Sequence, residues 1–274
     1  MADIIHEKQD LTYLNWTRVR NSSGTAGSFL KAYSENDGKK LYYKLSNYDV
    51  MNGVVGHECV NEIIVDRLLT ILGLEHLSYT LINADIIVDG QQISTYLCMS
   101  ENFRKPGEDK TALDTFYEME RQSGESPLDF CIRKGWAEYI RQMLVVDFLI
   151  LNRDRHGANI EVLRDKKHRK IRLAPLFDHG LSLLSMCRSE TDIAAYDVME
   201  DKPVQCFVGS HSVKDNLGLI PSGEFPVLSP LNESDKNQLL DGLEDIIPTA
   251  LAEKIWDMIW KRWCYYEDLC NKKR

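Results

Sequence analysis

Three side chains suited to handling a metal-bound phosphate stand near one another in the chain: Asp154, Asn159 five residues on, and Asp178 in Phe177-Asp178-His179-Gly180. The first two belong to one polar stretch, Asn152-Arg-Asp-Arg-His-Gly-Ala-Asn159. Phosphoryl transfer asks for few groups, placed well: a carboxylate to orient the attacking hydroxyl, oxygen ligands for Mg²⁺, and a cation to steady the phosphate oxygens. Mg²⁺ takes hard oxygen donors, which Asp and Asn supply. A lone Asp-x-x-x-x-Asn carries no information, because polar loops after helices are ordinarily just solvated. Its pairing with a D-x-G turn after an apolar strand is what carries weight.

The elements around these residues must bring them together. Trp136–Leu151 is apolar nearly all round toward its end and reads as a buried helix, with the Asp154 loop as its exit. Short strands at Ile160–Leu163 and Ile171–Leu173 flank a basic turn, and this hairpin can return Asp178 beside Asn159. Upstream, residues 17–103 are β-rich. One hairpin runs from Ser28–Ser34 through the turn residues Glu35-Asn-Asp-Gly38 to Leu41–Leu45. A second joins Tyr79–Val88 to Ile93–Met99 across Asp89-Gly90. Between them, His57 to Leu72 has helical spacing and a stop at Gly73. Ser126-Pro127 reads as a helix start. Residues 200–232 read as irregular. Leu239, Leu240, Leu243, Ile246 and Ile247 form one apolar helix face, separated by Pro248 from a second helix.

Lys44, on a strand of the first hairpin, is the candidate cation for the phosphates, with Lys31 and Lys40 as competitors. Glu62 on the first helix is placed to fix the Lys44 ammonium, and Glu58 one turn earlier is the alternative. Asn21-Ser-Ser-Gly-Thr-Ala-Gly-Ser28 is a Gly/Ser loop whose amides and hydroxyls could cradle phosphates, with Ser23, Gly24 and Thr25 at its centre. It is neither a Walker A motif nor the G-x-G-x-x-G of eukaryotic kinases.

The D-R-H-x-x-N form followed by D-x-G resembles the HipA-type serine/threonine kinases and, more distantly, the phosphoinositide 3-kinases. Asp147-Phe-Leu-Ile-Leu-Asn152, Leu173-Ala-Pro-Leu-Phe-Asp178 and Asn61-Glu62 favour the former. The resemblance implies an α+β, two-lobed protein-kinase-like fold, with a β-rich N-lobe over 1–103 and a helical C-lobe over 104–274. It implies ATP and Mg²⁺ as cofactors, Asp154 as catalytic base or hydroxyl-orienting residue, and Asn159 and Asp178 as metal ligands. Arg155 and His156 are expected to brace the loop. Cys98-Met99-Ser100-Glu101 is expected to follow the fifth strand, where kinases place the hinge that reads adenine through its backbone. Ser22, Ser23, Thr25 and Ser28 are candidate autophosphorylation sites of the kind some HipA-type enzymes carry. A protein substrate and an antitoxin-like regulatory partner are the partners implied, although the chain is shorter than full-length HipA and shows no counterpart of its extra N-terminal domain. A small-molecule or lipid kinase of the same fold, and a nucleotide-binding pseudokinase, are the alternative readings.

Bulk properties narrow the field further. The 274 residues are 43% hydrophobic and carry a net charge of −9 with 33 Lys+Arg against 42 Asp+Glu, which disfavours direct nucleic-acid binding and docking on anionic membranes. The only basic run, residues 164–172, reads as a solvated turn. Seven scattered cysteines without a C-x-x-C pair, together with a polar N-terminus, lead to the expectation of a soluble cytoplasmic protein. Trp256, Trp260 and Trp263 read as packing within the C-lobe rather than as a partner surface.

Overall fold

The structure is a computed structural model and describes residues 3–17, 29–36 and 38–272. Strand β1 (Ile4–Asp10) is followed by β2 (Lys31–Asn36), β3 (Lys39–Lys44), the short pair β4 (Tyr48–Asp49) and β5 (Gly53–Val54), helix α1 (Glu58–Leu72), β6 (Tyr79–Val88) and β7 (Gln91–Glu101). Five of these strands form one sheet in the order β1-β6-β7-β3-β2, antiparallel except for β1 against β6. Side chains alternate across a strand, and β6 shows it: Ile82, Ala84, Ile86 and Val88 fill one core with Leu45 and Leu97, while Leu81 faces α1 and the larger core. The helix α1 buries Ile63, Ile64, Leu68 and Leu69 completely. At about 1.5–3 kcal/mol for each aliphatic side chain, this packing fixes the helix, and with it Glu62, against the sheet.

The rest of the chain is mainly helical: β8 (Glu108–Ala112), α2 (Leu113–Glu120), α3 (Pro127–Arg133), α4 (Ala137–Ile150), β9 (Asp154–Arg155), β10 (Glu161–Asp165), β11 (Lys170–Leu173), α5 (Glu190–Ala195), β12 (Gln205–Cys206), α6 (Val213–Gly218), α7 (Asp235–Leu240) and α8 (Thr249–Lys272). Ser126 caps α3 by accepting from Asp129 N at 3.1 Å, with Pro127 in the first turn. The basic run is the exposed turn between β10 and β11, and β8 adds the third strand to that hairpin. Buried Arg262 of α8 donates to the carbonyls of Phe148, Val198 and Glu200, tying α4 to the segment after α5. Trp263 is buried, and Trp256 stacks on Trp260 at 5.6 Å against the core.

The structure differs from the sequence expectations at β1, in the segment after α7 and in residues 200–232. Strand β1 carries little sequence signal, because Ile-Ile-His-Glu-Lys-Gln-Asp is mostly polar; an edge strand needs only Ile4 in the core and backbone pairing with β6. The apolar face from Leu239 to Ile247 is not one helix. Asp241 leaves the helical region at ψ 131 and Gly242 follows at φ 71, so α7 ends at Leu240 and a series of turns carries Leu243 and Ile247 into the core. The irregular segment 200–232 contains β12 and α6. No helix among the described residues is long and apolar enough to cross a membrane.

Candidate active site

Lys44 ends β3 opposite Cys98 of β7, and its side chain runs under the sheet toward α1. Its Nζ lies 2.9 Å from Glu62 Oε1 and 2.5 Å from Asp178 Oδ1. Glu62 is wholly buried, and its second oxygen accepts the backbone N–H of His179 at 2.8 Å. One carboxylate on α1 therefore holds both the cation and the D-x-G turn. Burial opposes the Lys44 charge, but Asp178 and then Glu62 outweigh it and hold the ammonium well above the ordinary lysine range. Asn61, beside Glu62, donates to the carbonyls of Gly180 and Ser182, both at 3.0 Å. The Tyr79 hydroxyl accepts from Asp178 N at 3.2 Å. These bonds set the turn while Asp178 sits at φ 60, a left-handed conformation that Asp tolerates better than most residues. At Gly180 a Cβ would lie 3.2 Å from Lys44 Nζ and 3.1 Å from Glu58 Cβ, so any side chain there needs its neighbours to give way by a few tenths of an ångström.

The second loop leaves α4 through Leu151, at φ 49 and fully buried. Buried Arg155 organises this loop from within. It pairs with Asp147 of α4 at 2.9 Å and donates to the carbonyl oxygens of Asn159 at 3.3 Å and Phe177 at 3.0 Å. One guanidinium thus fixes the backbone at Asn159 and the residue before Asp178. Asn152 donates to Asp147 at 2.8 Å and accepts from Asp154 N at 3.2 Å. The Asn159 amide donates to Asp154 twice, to the backbone oxygen at 2.7 Å and to Oδ2 at 3.2 Å. Strand β9 pairs in parallel with β12, which holds the loop from its other side. The Asp154 carboxyl is raised above the usual aspartate range, first by burial and further by the charge of Asp178, against the lowering influence of His156, Asn159 and Lys44. A carboxylate whose proton affinity is raised suits proton acceptance from a hydroxyl.

Of the residues expected from sequence, Lys44, Glu62 and Asp178 are in direct contact, and Asp154 and Asn159 are bonded to each other beside them. Among the alternatives, Glu58 accepts from Asn47 N at 3.0 Å, and Lys40 lies over the Tyr33 ring at 4.0 Å. Lys31 stands directly across from Lys44 in the β2–β3 ladder. His156 Nε2 is 3.5 Å from Asp154 Oδ1, and Arg155 braces the loop as expected. Cys98, Met99 and Ser100 do not follow the strand but lie inside β7, each paired with both β6 and β3. Their backbone groups serve the sheet, and the chain leaves it only after Glu101. Ser23, Gly24 and Thr25, with Ser22 and Ser28, lie outside the described residues. Sequence reasoning assigns no role to Tyr79, Asp147 or Asn152. Asp147 and Asn152 bound one of the stretches that carry the family resemblance, whereas nothing in the sequence marks Tyr79.

The donor set fits Mg²⁺. Asn159 and Asp178 offer a carboxamide and a carboxylate, and this ion commonly takes one or two protein oxygens and completes its shell with water and phosphate. No cluster of three or more His, Cys, Asp or Glu side chains suited to a metal occurs among the described residues, so the site does not resemble an all-protein metal cage.

No family model matches the chain, and no curated protein matches it. Among solved structures it is similar to the crystal structure of a Helicobacter pylori proinflammatory kinase, CtkA, with a TM-score of 0.56 at 15% identity over 92% of this chain and 93% of that one. At this identity the likeness establishes the fold: an α+β, kinase-like architecture spanning nearly the whole chain.

Proposed function

We propose that the protein is an ATP- and Mg²⁺-dependent phosphotransferase of the HipA-like serine/threonine kinase type. The observation that carries this reading is the convergence of Lys44, Glu62 and Asp178 on one point, with Asp154 and Asn159 tied to the same place through Arg155. In this reading the boundary near residue 103 separates a nucleotide-binding N-lobe from a C-lobe that carries both loops.

The chain's own groups divide the work. Lys44, kept charged by its two carboxylates, steadies phosphate oxygens. Asn159 and Asp178 would hold Mg²⁺, which neutralises charge on the phosphates when bound. Asp154 orients the acceptor hydroxyl and takes its proton as the new P–O bond forms and the ADP oxygen leaves. Glu62 fixes Lys44 and the D-x-G turn together. The backbone that leaves the sheet after Glu101, rather than Cys98–Ser100, is proposed to read adenine. Ser23, Gly24 and Thr25 are proposed to cover the phosphates. The acceptor is proposed to be a protein, with an antitoxin-like regulatory partner and a cytoplasmic setting.

Incubation with ATP and Mg²⁺ followed by phosphopeptide mapping tests this. Phosphoserine or phosphothreonine on the chain or an added protein supports it. Phosphate found only on a metabolite or lipid would move the acceptor class, and ATP binding without transfer would make the protein a pseudokinase.

A further inference from the structure

Two thiols meet at the backbone of Lys44. Cys59, in the first turn of α1, donates to the Lys44 carbonyl oxygen at 3.1 Å, and Cys98 of β7 approaches the same oxygen at 3.8 Å. Both are 1% exposed, and Cys59 also lines a cavity of about 420 Å³ shared with Ser46, His57, Ser94 and Thr95. Cys59 lies one helical turn before Glu62, and Cys98 stands directly opposite Lys44 in the sheet. The pair therefore joins α1, which carries Glu62, to β7, the strand that pairs with Lys44 at the end of β3.

We propose that Cys59 and Cys98 form a peroxide-reactive thiol pair whose disulfide couples oxidation to the Lys44 site. The two thiols differ in character. Burial opposes ionisation of Cys59, but the Cys98 thiol, the Ser46 hydroxyl and the Lys44 ammonium more than offset it, so its pKa falls. The Cys98 thiol is pushed up by its neighbour Cys59 and by burial. Cys59 is thus the attacking sulfur and Cys98 the resolving one. The Cys59 sulfur attacks a hydrogen peroxide oxygen; an S–O bond forms, the O–O bond breaks and one water leaves. The Cys98 sulfur then attacks Cys59; the S–S bond forms, the S–O bond breaks and a second water leaves. Two thiols are oxidised by two electrons, and one peroxide is reduced to two waters. The bridge removes both thiol donors from the Lys44 carbonyl and draws the start of α1 toward β7, shifting Glu62 relative to Lys44.

The bridge itself does not depend on the proposed function; its effect on nucleotide binding does. The full chain is treated with hydrogen peroxide, remaining thiols are alkylated, and disulfides are mapped by mass spectrometry. The expected result is a Cys59–Cys98 linked peptide that dithiothreitol reverses, with ATP affinity lowered on the order of tenfold in the bridged form. Cys59→Ser, which keeps a donor for the Lys44 carbonyl, binds ATP as the reduced protein does and is insensitive to peroxide. Recovery of Cys59 and Cys98 as alkylated thiols while Cys264 and Cys270 are oxidised would overturn the site. A bridge that leaves ATP affinity unchanged would overturn the coupling. Failure of the reduced protein to bind ATP at all would instead count against the proposed function.

Discussion

Arg155 Nη1 donates to the carbonyl oxygen of Phe177 at 3.0 Å, so the loop carrying Asp154 is joined directly to the loop carrying Asp178. The same guanidinium is neutralised by Asp147 and is only 1% exposed. Removing one partner of a buried pair leaves the other charged and uncompensated, which costs about 3–5 kcal/mol. Arg155→Met is therefore expected to lower the thermal midpoint strongly. Arg155→Met combined with Asp147→Leu should regain much of that stability but not activity, because the carbonyls of Asn159 and Phe177 still lack their shared donor. Thermal unfolding and turnover measured on both variants check this.

Glu62→Gln keeps the shape of the side chain but removes its charge. Lys44 then keeps Asp178 as its carboxylate partner, and the D-x-G turn is held less firmly. Turnover is expected to fall by about 10²-fold or more, comparable to the loss of a positioned electrostatic group, while the protein stays folded. Glu58→Gln, which alters a carboxylate bonded to Asn47 N instead, should have the smaller effect on turnover.

Gly180→Ala is a steric test of the same geometry. The added methyl would meet Lys44 Nζ at 3.2 Å and the Glu58 backbone oxygen at 3.3 Å. The flexible ammonium is the atom that can move, so ATP affinity should fall more than stability does. Calorimetric titration beside a melting curve separates the two.

Stability should also depend on pH through His57. Its pKa is lowered from 6.5 to about 4, by burial first and then by Arg188. The folded state keeps the ring neutral where the unfolded chain protonates it. Stability is thus fully present above about pH 6.5 and is lost as the pH falls toward about 4. His57→Gln should flatten the melting midpoint across that window relative to the parent.

Much of the candidate site's geometry is legible in the sequence because it is local there: the spacing of Asp154 and Asn159, and a short hairpin returning Asp178. Lys44 separates from Lys31 and Lys40 only in space, since strand alternation alone leaves several lysines in play and the contacts to Glu62 and Asp178 decide. Tyr79 is hidden because its hydroxyl serves a backbone amide 99 residues away. The end of β7 is misread because Ser100 and Glu101 are polar yet still paired in the sheet, whereas polarity marks a strand's end only where pairing stops. At Asp241-Gly242 a persuasive apolar periodicity competes with two residues outside the helical region, and the chain turns there.

Whether Asp154 serves phosphoryl transfer rather than nucleotide binding decides the proposed mechanism. Transfer of the γ-phosphate from radiolabelled ATP in the presence of Mg²⁺ answers it, measured for the parent and for Asp154→Asn together with ATP binding by calorimetry. Expected are transfer by the parent, a loss of about 10²–10⁴-fold in the variant, and similar ATP affinity in both. Equal transfer by the two proteins would contradict the role given to Asp154.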